Sequence, residues 1–184
     1  MDKNLFDSLL RRSTAYMEKD RSFHDVAHVK NVLKNAKKLI KLIGGDEIII
    51  FTALLFHDIR RDVDNHEKIG ADETEKMLKS IAEFPNEKIK EICLAIERHE
   101  KGQITKNEKV VSDADKMDAF TEIGFVRGFM MLAKKGYTLK QGIVTYLDLL
   151  GKWYKEFYFD ESRILIKRKY EIIQKALKNM LSMY

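Results

Sequence analysis

Apolar residues recur about every 3.6 positions along most of this chain, and that helical period limits the possible folds more than any other feature. The clearest stripe runs from Val26 to Ile43, and Gly44-Gly45 provide a C-terminal stop. Ser22 is the predicted N-cap of this helix, with Asp25 as the acidic partner in a capping box. The segment from Ile48 to Phe56 is apolar nearly all round, which predicts a helix at the centre of the fold.

The same period predicts six further helical segments. They cover about residues 2–18, 67–82, 87–99, 108–134 with a break near Gly124, 138–158 and 161–182. The run from Glu47 to Thr52 is rich in β-branched residues, but no second run could pair with it as a strand. A chain of 184 residues is long enough for one domain. We therefore predict an all-α fold, a single-domain helical bundle.

The charge and cysteine content exclude several classes of protein. The 34 Lys and Arg residues against 29 Asp and Glu give a net charge of only +5, and the single cysteine cannot form an internal disulfide. No apolar run reaches the roughly 18 residues of a membrane span, and the start of the chain lacks the apolar core of a signal peptide. We expect a cytoplasmic protein without a membrane or nucleic-acid partner, either monomer or homodimer. The basic stretch Arg163–Lys169 leaves an RNA-binding strip open as the alternative to a solvated helix face.

All the histidines precede residue 100, and several of them stand beside acidic residues. They are His24, His28, His57, His66 and His99. The first two are four positions apart at a helix start, so they share one face, and His57-Asp58 closes the apolar helix. The run from Ser112 to Asp118 adds three carboxylates. Imidazole and carboxylate together suit borderline divalent ions, so the pattern indicates a metal site, although a lone histidine at a helix end commonly pairs with a backbone carbonyl.

The order of these segments resembles the HD superfamily of metal-dependent phosphohydrolases, in particular its stand-alone microbial members. That family has an early pair of histidines, an adjacent His-Asp and a distant Asp. The matching segments are His24–Val32, Leu55–Ile59 and Asp113–Ala119. The resemblance spans about residues 22–130. It implies that residues 1–184 form a single HD domain, with C-terminal helices at about 138–182 packed on the core.

The resemblance also implies a set of metal ligands. They are His28, His57, Asp58 and Asp115, with Asp113 left open as the alternative to Asp115. The ion could be Mn, Fe, Co, Ni, Zn or Mg. His66 and His99 resemble the further ligands of HD members that bind two ions. The second ion stays open, because His66 follows Asp58 by fewer positions than in those members.

By the same resemblance, we expect hydrolysis of a phosphate ester in a nucleotide or another small phosphorylated metabolite. The catalytic candidates are His24, Asp58 and Asp62, and the candidates for binding substrate phosphate are Arg60, Arg61, His99 and Lys116. His24 would protonate the leaving oxygen or bind phosphate. HD enzymes that cleave ppGpp carry Glu-Asp where this chain has Arg61-Asp62, which counts against that substrate.

Two alternatives belong to other functional classes. Some HD proteins use four histidines and two aspartates to bind two irons and activate O₂, and His66 and His99 are the residues that such an oxygenase would need. The other alternative is a non-catalytic HD protein that binds a nucleotide or RNA. The sequence does not identify the substrate or the native metal.

Overall fold

The structure, a computed structural model, describes residues 1–17 and 25–184. Within these ranges it contains helices and no strand, which confirms the all-α prediction. The helices are α1 (Lys3–Met17), α2 (Val26–Ile43), α3 (Glu47–Phe56), α4 (His66–Lys79), α5 (Asn86–Glu97), α6 (Lys106–Lys116), a 3₁₀ turn (Met117–Phe120), α7 (Glu122–Lys134), α8 (Leu139–Lys155) and α9 (Asp160–Leu181). In the same ranges, no helix combines the length and the apolar character needed to cross a membrane.

The chain divides into two compact units, Met1–Asp115 and Lys116–Tyr184. The first unit contains α1 to α5 and nearly all of α6, and the second contains the 3₁₀ turn and α7 to α9. All the described histidines lie in the first unit. The predicted arrangement of one HD domain with C-terminal helices packed on its core stays a prediction.

Helix α3 forms the centre of the first unit, as its apolar sequence predicts. It packs against α1, α2, α4 and α5, and its side chains from Ile49 to Phe56 are almost all buried. Its first turn is capped by Asp46, whose carboxylate accepts hydrogen bonds from the backbone N–H groups of Ile48 and Ile49. The residues that follow α3 are therefore held at the end of a buried, capped helix.

Helix α2 begins one turn later than the sequence predicts. Its N-cap is Asp25, whose Oδ1 accepts a hydrogen bond from the backbone N–H of His28 at 3.1 Å. The prediction of Ser22 as N-cap is therefore wrong, and Ser22 itself lies outside the described residues. Aspartate replaces serine in this role because both offer a short side-chain oxygen to the free N–H groups of the first turn. The predicted stop is confirmed, because Gly44 has a positive φ of 77° and donates its N–H to Ile40.

The sequence predicts a helix break near Gly124. The structure has a break shortly before that residue, between α6 and α7. The backbone changes to a 3₁₀ turn at Met117, and α7 starts after Thr121, whose Oγ1 accepts a hydrogen bond from the N–H of Gly124 at 3.0 Å. A Cβ at Gly124 would overlap the backbone carbonyl of Asp118. The close packing of the turn against α7 therefore requires a residue without a side chain at position 124. The helix itself continues through Gly124 and does not break there.

A buried ion pair and an aromatic cluster hold the second unit together. Arg127 on α7 donates to Oδ2 of Asp118 in the 3₁₀ turn, and Thr121 donates to the other carboxylate oxygen at 3.2 Å. The cluster stacks the rings of Tyr154 and Tyr170, whose centroids are 4.3 Å apart. Arg127 therefore neutralises an aspartate of its own unit.

Candidate metal centre

Four side chains from three helices of the first unit converge at one point. His28 lies in the first turn of α2, His57 and Asp58 follow α3, and Asp115 is close to the end of α6. The Nε2 atoms of His28 and His57 are 3.1 Å apart. Oδ1 of Asp115 lies 3.3 Å from Nε2 of His28 and 3.5 Å from Nε2 of His57. Oδ2 of Asp58 lies 3.2 Å from Nε2 of His57 and 3.7 Å from Nε2 of His28, so each carboxylate has an oxygen close to the same pair of imidazole nitrogens.

Backbone contacts fix how two of the histidines face this region. Nδ1 of His57 lies 2.9 Å from the carbonyl oxygen of Leu54, and Nδ1 of His99 lies 2.7 Å from that of Ile96. A carbonyl oxygen can only accept, so each Nδ1 carries a hydrogen, and Nε2 is the nitrogen that is left to bind a metal ion. Hydrogen bonds of this kind orient the histidine ligands of metal ions in proteins. A lone histidine at a helix end commonly pairs with a backbone carbonyl. Here that contact uses Nδ1, so it is compatible with metal binding through Nε2.

The charges and the burial of these groups fit a divalent ion. His28, His57 and Asp58 are buried, and two imidazole nitrogens face each other beside two carboxylates. Burial lowers the pKa of His57, but Asp58 and Asp115 outweigh it and hold that pKa well above its ordinary value. Burial raises the pKa of Asp115, whereas contacts with His28 and His57 outweigh it and leave the pKa well below the usual range. The site therefore favours a positive charge at its centre, and its nitrogen and oxygen ligands suit Mn, Fe, Co, Ni or Zn.

The structure places Asp115 beside His28 and His57, and helix packing supports this position. The side-chain amide of Asn35 on α2 donates to the backbone oxygen of Ala114 at 3.1 Å. This buried contact joins the helix that carries His28 to the helix that carries Asp115. Asp113 is also buried, which differs from the solvated role that an acidic helix residue usually has.

A second group of donors lies on the other side of Asp58. Oδ1 of Asp58 is 3.7 Å from Nε2 of His66 and 3.7 Å from Nε2 of His99. The Nε2 atom of His99 is buried and makes no hydrogen bond with any described residue. Nη1 of Arg61 lies within this group, 3.2 Å from Oδ1 of Asp58 and 2.6 Å from Nε2 of His66. Asp58 thus offers one oxygen to each of the two groups.

Glu100 also belongs to this second group, and the sequence did not indicate it. Its Oε1 lies 2.5 Å from Nη1 of Arg61 and 3.9 Å from Nε2 of His66. Burial raises the pKa of Glu100, but Arg61 outweighs it and lowers the pKa below the usual range. The available signal was its position directly after His99. Gln103 holds this turn, since its amide donates to the backbone oxygen of His99 at 2.7 Å.

Several predicted site residues lie elsewhere. Arg60 pairs with Asp62 at 3.2 Å and also contacts Glu73 on α4, so the structure does not bring Arg60 or Asp62 to the histidines. Lys116 is the first residue of the second unit, and its Nζ lies 5.8 Å from the centre of the Tyr158 ring. His24 lies outside the described residues. Among the predicted phosphate-binding side chains, Arg61 and His99 are the ones at the centre.

Comparisons with solved structures show that the chain shares its fold with known proteins. The chain resembles the crystal structure of Bacillus subtilis YpgQ in complex with ADP, with 21% identity and a TM-score of 0.82 over 97% of this chain and 94% of that chain. It also resembles the Lin1889 protein from Listeria innocua, with 24% identity and a TM-score of 0.74 over 98% of this chain and 96% of that chain. A third similar structure is an HD-superfamily hydrolase from Bacillus thuringiensis, with 23% identity and a TM-score of 0.71 over 98% of this chain and 95% of that chain. At these identities the likeness shows a shared fold. No curated protein matches the sequence.

The family is shown by the sequence itself. The sequence pattern of the HD domain matches residues 25–119, which is more than half of the chain. The matched range contains His57-Asp58 and every other described residue of the two donor groups. The chain belongs to the HD domain family.

Proposed function

We propose that this chain is a metal-dependent phosphohydrolase that cleaves a phosphate ester of a nucleotide or a similar small metabolite. The observation that carries the proposal is that one oxygen each of Asp58 and Asp115 lies 3.2 to 3.7 Å from the Nε2 atoms of both His28 and His57, which are themselves 3.1 Å apart. Such a set can hold one divalent ion and leaves positions open for substrate and water when the ion is octahedral. The ADP complex of YpgQ supports a nucleotide as the substrate.

The bound ion would polarise a phosphoryl oxygen and lower the pKa of a water molecule toward about 7. The residues of the chain would do the rest. Asp58 and Asp115 supply the negative charge that retains the ion, and the Leu54 carbonyl keeps His57 oriented toward it. Arg61 offers a guanidinium to phosphate oxygens beside the ion, which matches the geometry that arginine prefers. His24 is the proposed proton donor to the leaving oxygen.

A paired substitution tests this proposal. Asp58→Asn removes one ligand charge and should lower both metal retention and turnover by at least about 100-fold, because even outer contacts of metal ligands commonly cost 10–100-fold. Asp64→Asn is the matched control: it makes the same chemical change six positions later, at an exposed residue. Metal content is measured after gel filtration, and phosphate release is measured on nucleoside mono-, di- and triphosphates with Mn, Co, Ni and Mg. Full metal content and activity in Asp58→Asn would refute the assignment.

The di-iron oxygenase is the second candidate, because the donor group of Asp58, His66 and His99 could hold another ion. The two functions differ in their need for oxygen. Phosphate release without O₂ supports the hydrolase. An iron content of about two per chain, with O₂ uptake that depends on substrate, supports the oxygenase.

A further inference from the structure

The donor group on the second side of Asp58 has the composition of a metal site. Asp58 Oδ1, His66 Nε2 and His99 Nε2 lie within 4.8 Å of one another, and all three residues are largely buried. Glu100 Oε1 lies at its edge, 3.9 Å from His66. His99 Nε2 is buried, lies 3.7 Å from Asp58 Oδ1 and makes no hydrogen bond with any described residue. A buried carboxylate beside imidazole nitrogens is stabilised by a cation close by.

A cation from the chain itself already contacts this group. Nη1 of Arg61 lies 3.2 Å from Asp58 Oδ1, 2.6 Å from His66 Nε2 and 2.5 Å from Glu100 Oε1. It therefore contacts two of the three donor atoms and the glutamate beside them. The backbone helps to fix this position, because the Arg61 N–H donates to the carbonyl oxygen of Asp58 at 3.2 Å.

The guanidinium and a metal ion would exclude each other at this point. An ion bonded to Asp58 Oδ1 and His66 Nε2 would lie about 2.0–2.2 Å from both atoms. Nη1 of Arg61 is in contact with the same two atoms, so the ion and the guanidinium would meet within contact distance. Two positive charges at such a separation repel strongly, and most strongly where water is excluded.

Charge also disfavours a second ion beside Arg61. The guanidinium contacts the carboxylates of Asp58 and Glu100. A second divalent ion would place two more positive charges next to it in a largely buried region, which is unfavourable.

We propose that Arg61 serves as the second cation of this centre, so that the protein binds one divalent ion and its guanidinium closes the second position. This inference rests on the proposed function, because it assumes an ion at His28, His57, Asp58 and Asp115. It further implies that the second position is latent: removal of the guanidinium uncovers Asp58, His66 and His99 as ligands for another ion.

The number of bound Mn²⁺ ions per chain tests the inference without any use of activity. The full chain is stripped with a chelator, reloaded and titrated with Mn²⁺, and the bound ions are counted by elemental analysis. We expect about one ion in the wild type and about two in Arg61→Met, with the spin-coupled electron paramagnetic resonance signal of a Mn pair only in the variant. Arg60→Met is the matched control and should keep about one ion, because Arg60 pairs with Asp62 and Glu73.

Each outcome decides between the alternatives. Arg61→Met/His66→Ala should return to about one ion, since it removes a ligand of the uncovered position. Two ions in the wild type, or one ion in a folded Arg61→Met protein, would overturn the inference. Arg61→Gln gives the same test if Arg61→Met does not fold. No bound ion in any variant would instead refute the proposed function, so the two failures are distinguishable.

Discussion

Removal of one partner from the buried ion pair between Arg127 and Asp118 should cost more stability than removal of one partner from an exposed pair such as Lys169 and Glu122. Arg127 is 7% exposed and Asp118 is 2% exposed, so both charges are almost fully removed from water. Removal of one partner from a buried pair costs about 3–5 kcal/mol, because the other charge stays buried without compensation. In Arg127→Met, Thr121 still donates to Asp118 at 3.2 Å, which places the expected loss near the lower limit, about 3 kcal/mol. For a chain of this length, the melting temperature should fall by about 6–12 °C.

The single tryptophan provides the assay for this prediction. Trp153 lies in the same unit, with its ring 6.3 Å from that of Tyr146, so its fluorescence reports the unfolding of this unit in urea. Arg127→Met/Asp118→Asn removes both charges and should recover more than half of the loss. Lys169→Met removes an exposed partner of Glu122 and should cost less than about 1 kcal/mol. A loss below about 1 kcal/mol in Arg127→Met, or no recovery in the double variant, would refute the reasoning.

Three further predictions concern the scaffold. Asp46→Ala removes the cap of α3 and should lower the free energy of unfolding in urea by about 1 kcal/mol, whereas an unchanged midpoint would contradict the capping role. Gly124→Ala should cost more than about 2 kcal/mol through its clash with Asp118, whereas Gly142→Ala on α8 meets only ordinary contacts and should be neutral or stabilising. Burial raises the pKa of Cys93 to about 11, so at pH 8 iodoacetamide should modify the native thiol about 100-fold more slowly than the unfolded one, and equal rates would disprove this. Because its pKa is raised, the Cys93 contribution to stability is complete below about pH 9 and is lost as the pH rises toward 11.

The helices could be predicted from the sequence because the apolar period survives in nearly all of them. The period could not show where α6 changes to a 3₁₀ turn, because Met117 and Phe120 stay buried in both geometries. Gly124 was the sequence signal for this break. In the structure, a glycine at this position leaves room for the backbone carbonyl of Asp118, which a Cβ would overlap. The helix itself is restarted by Thr121, whose side chain caps it. Local chemistry at the cap, and not the apolar pattern, sets the boundary.

The family resemblance singled out side chains that lie together in the structure, but not the direction in which neighbouring side chains point. His28, His57, Asp58 and Asp115 come close to one another, and their role as ligands stays a prediction. The sequence could not separate Arg60 from Arg61. These neighbours lie in irregular backbone after α3, so no helical period tells which one points toward Asp58. The same limit hid Glu100, which contacts Arg61 and lies close to His66.

Diffraction at the Mn absorption edge from crystals soaked in Mn²⁺ tests the central claim most directly. The account predicts one strong anomalous peak about 2.0–2.3 Å from His28 Nε2, His57 Nε2 and one oxygen each of Asp58 and Asp115. The same crystals of His57→Ala should lack that peak, because the ion loses a buried ligand. A wild-type map with no peak among these four residues, or with its only peak elsewhere on the chain, would contradict the account.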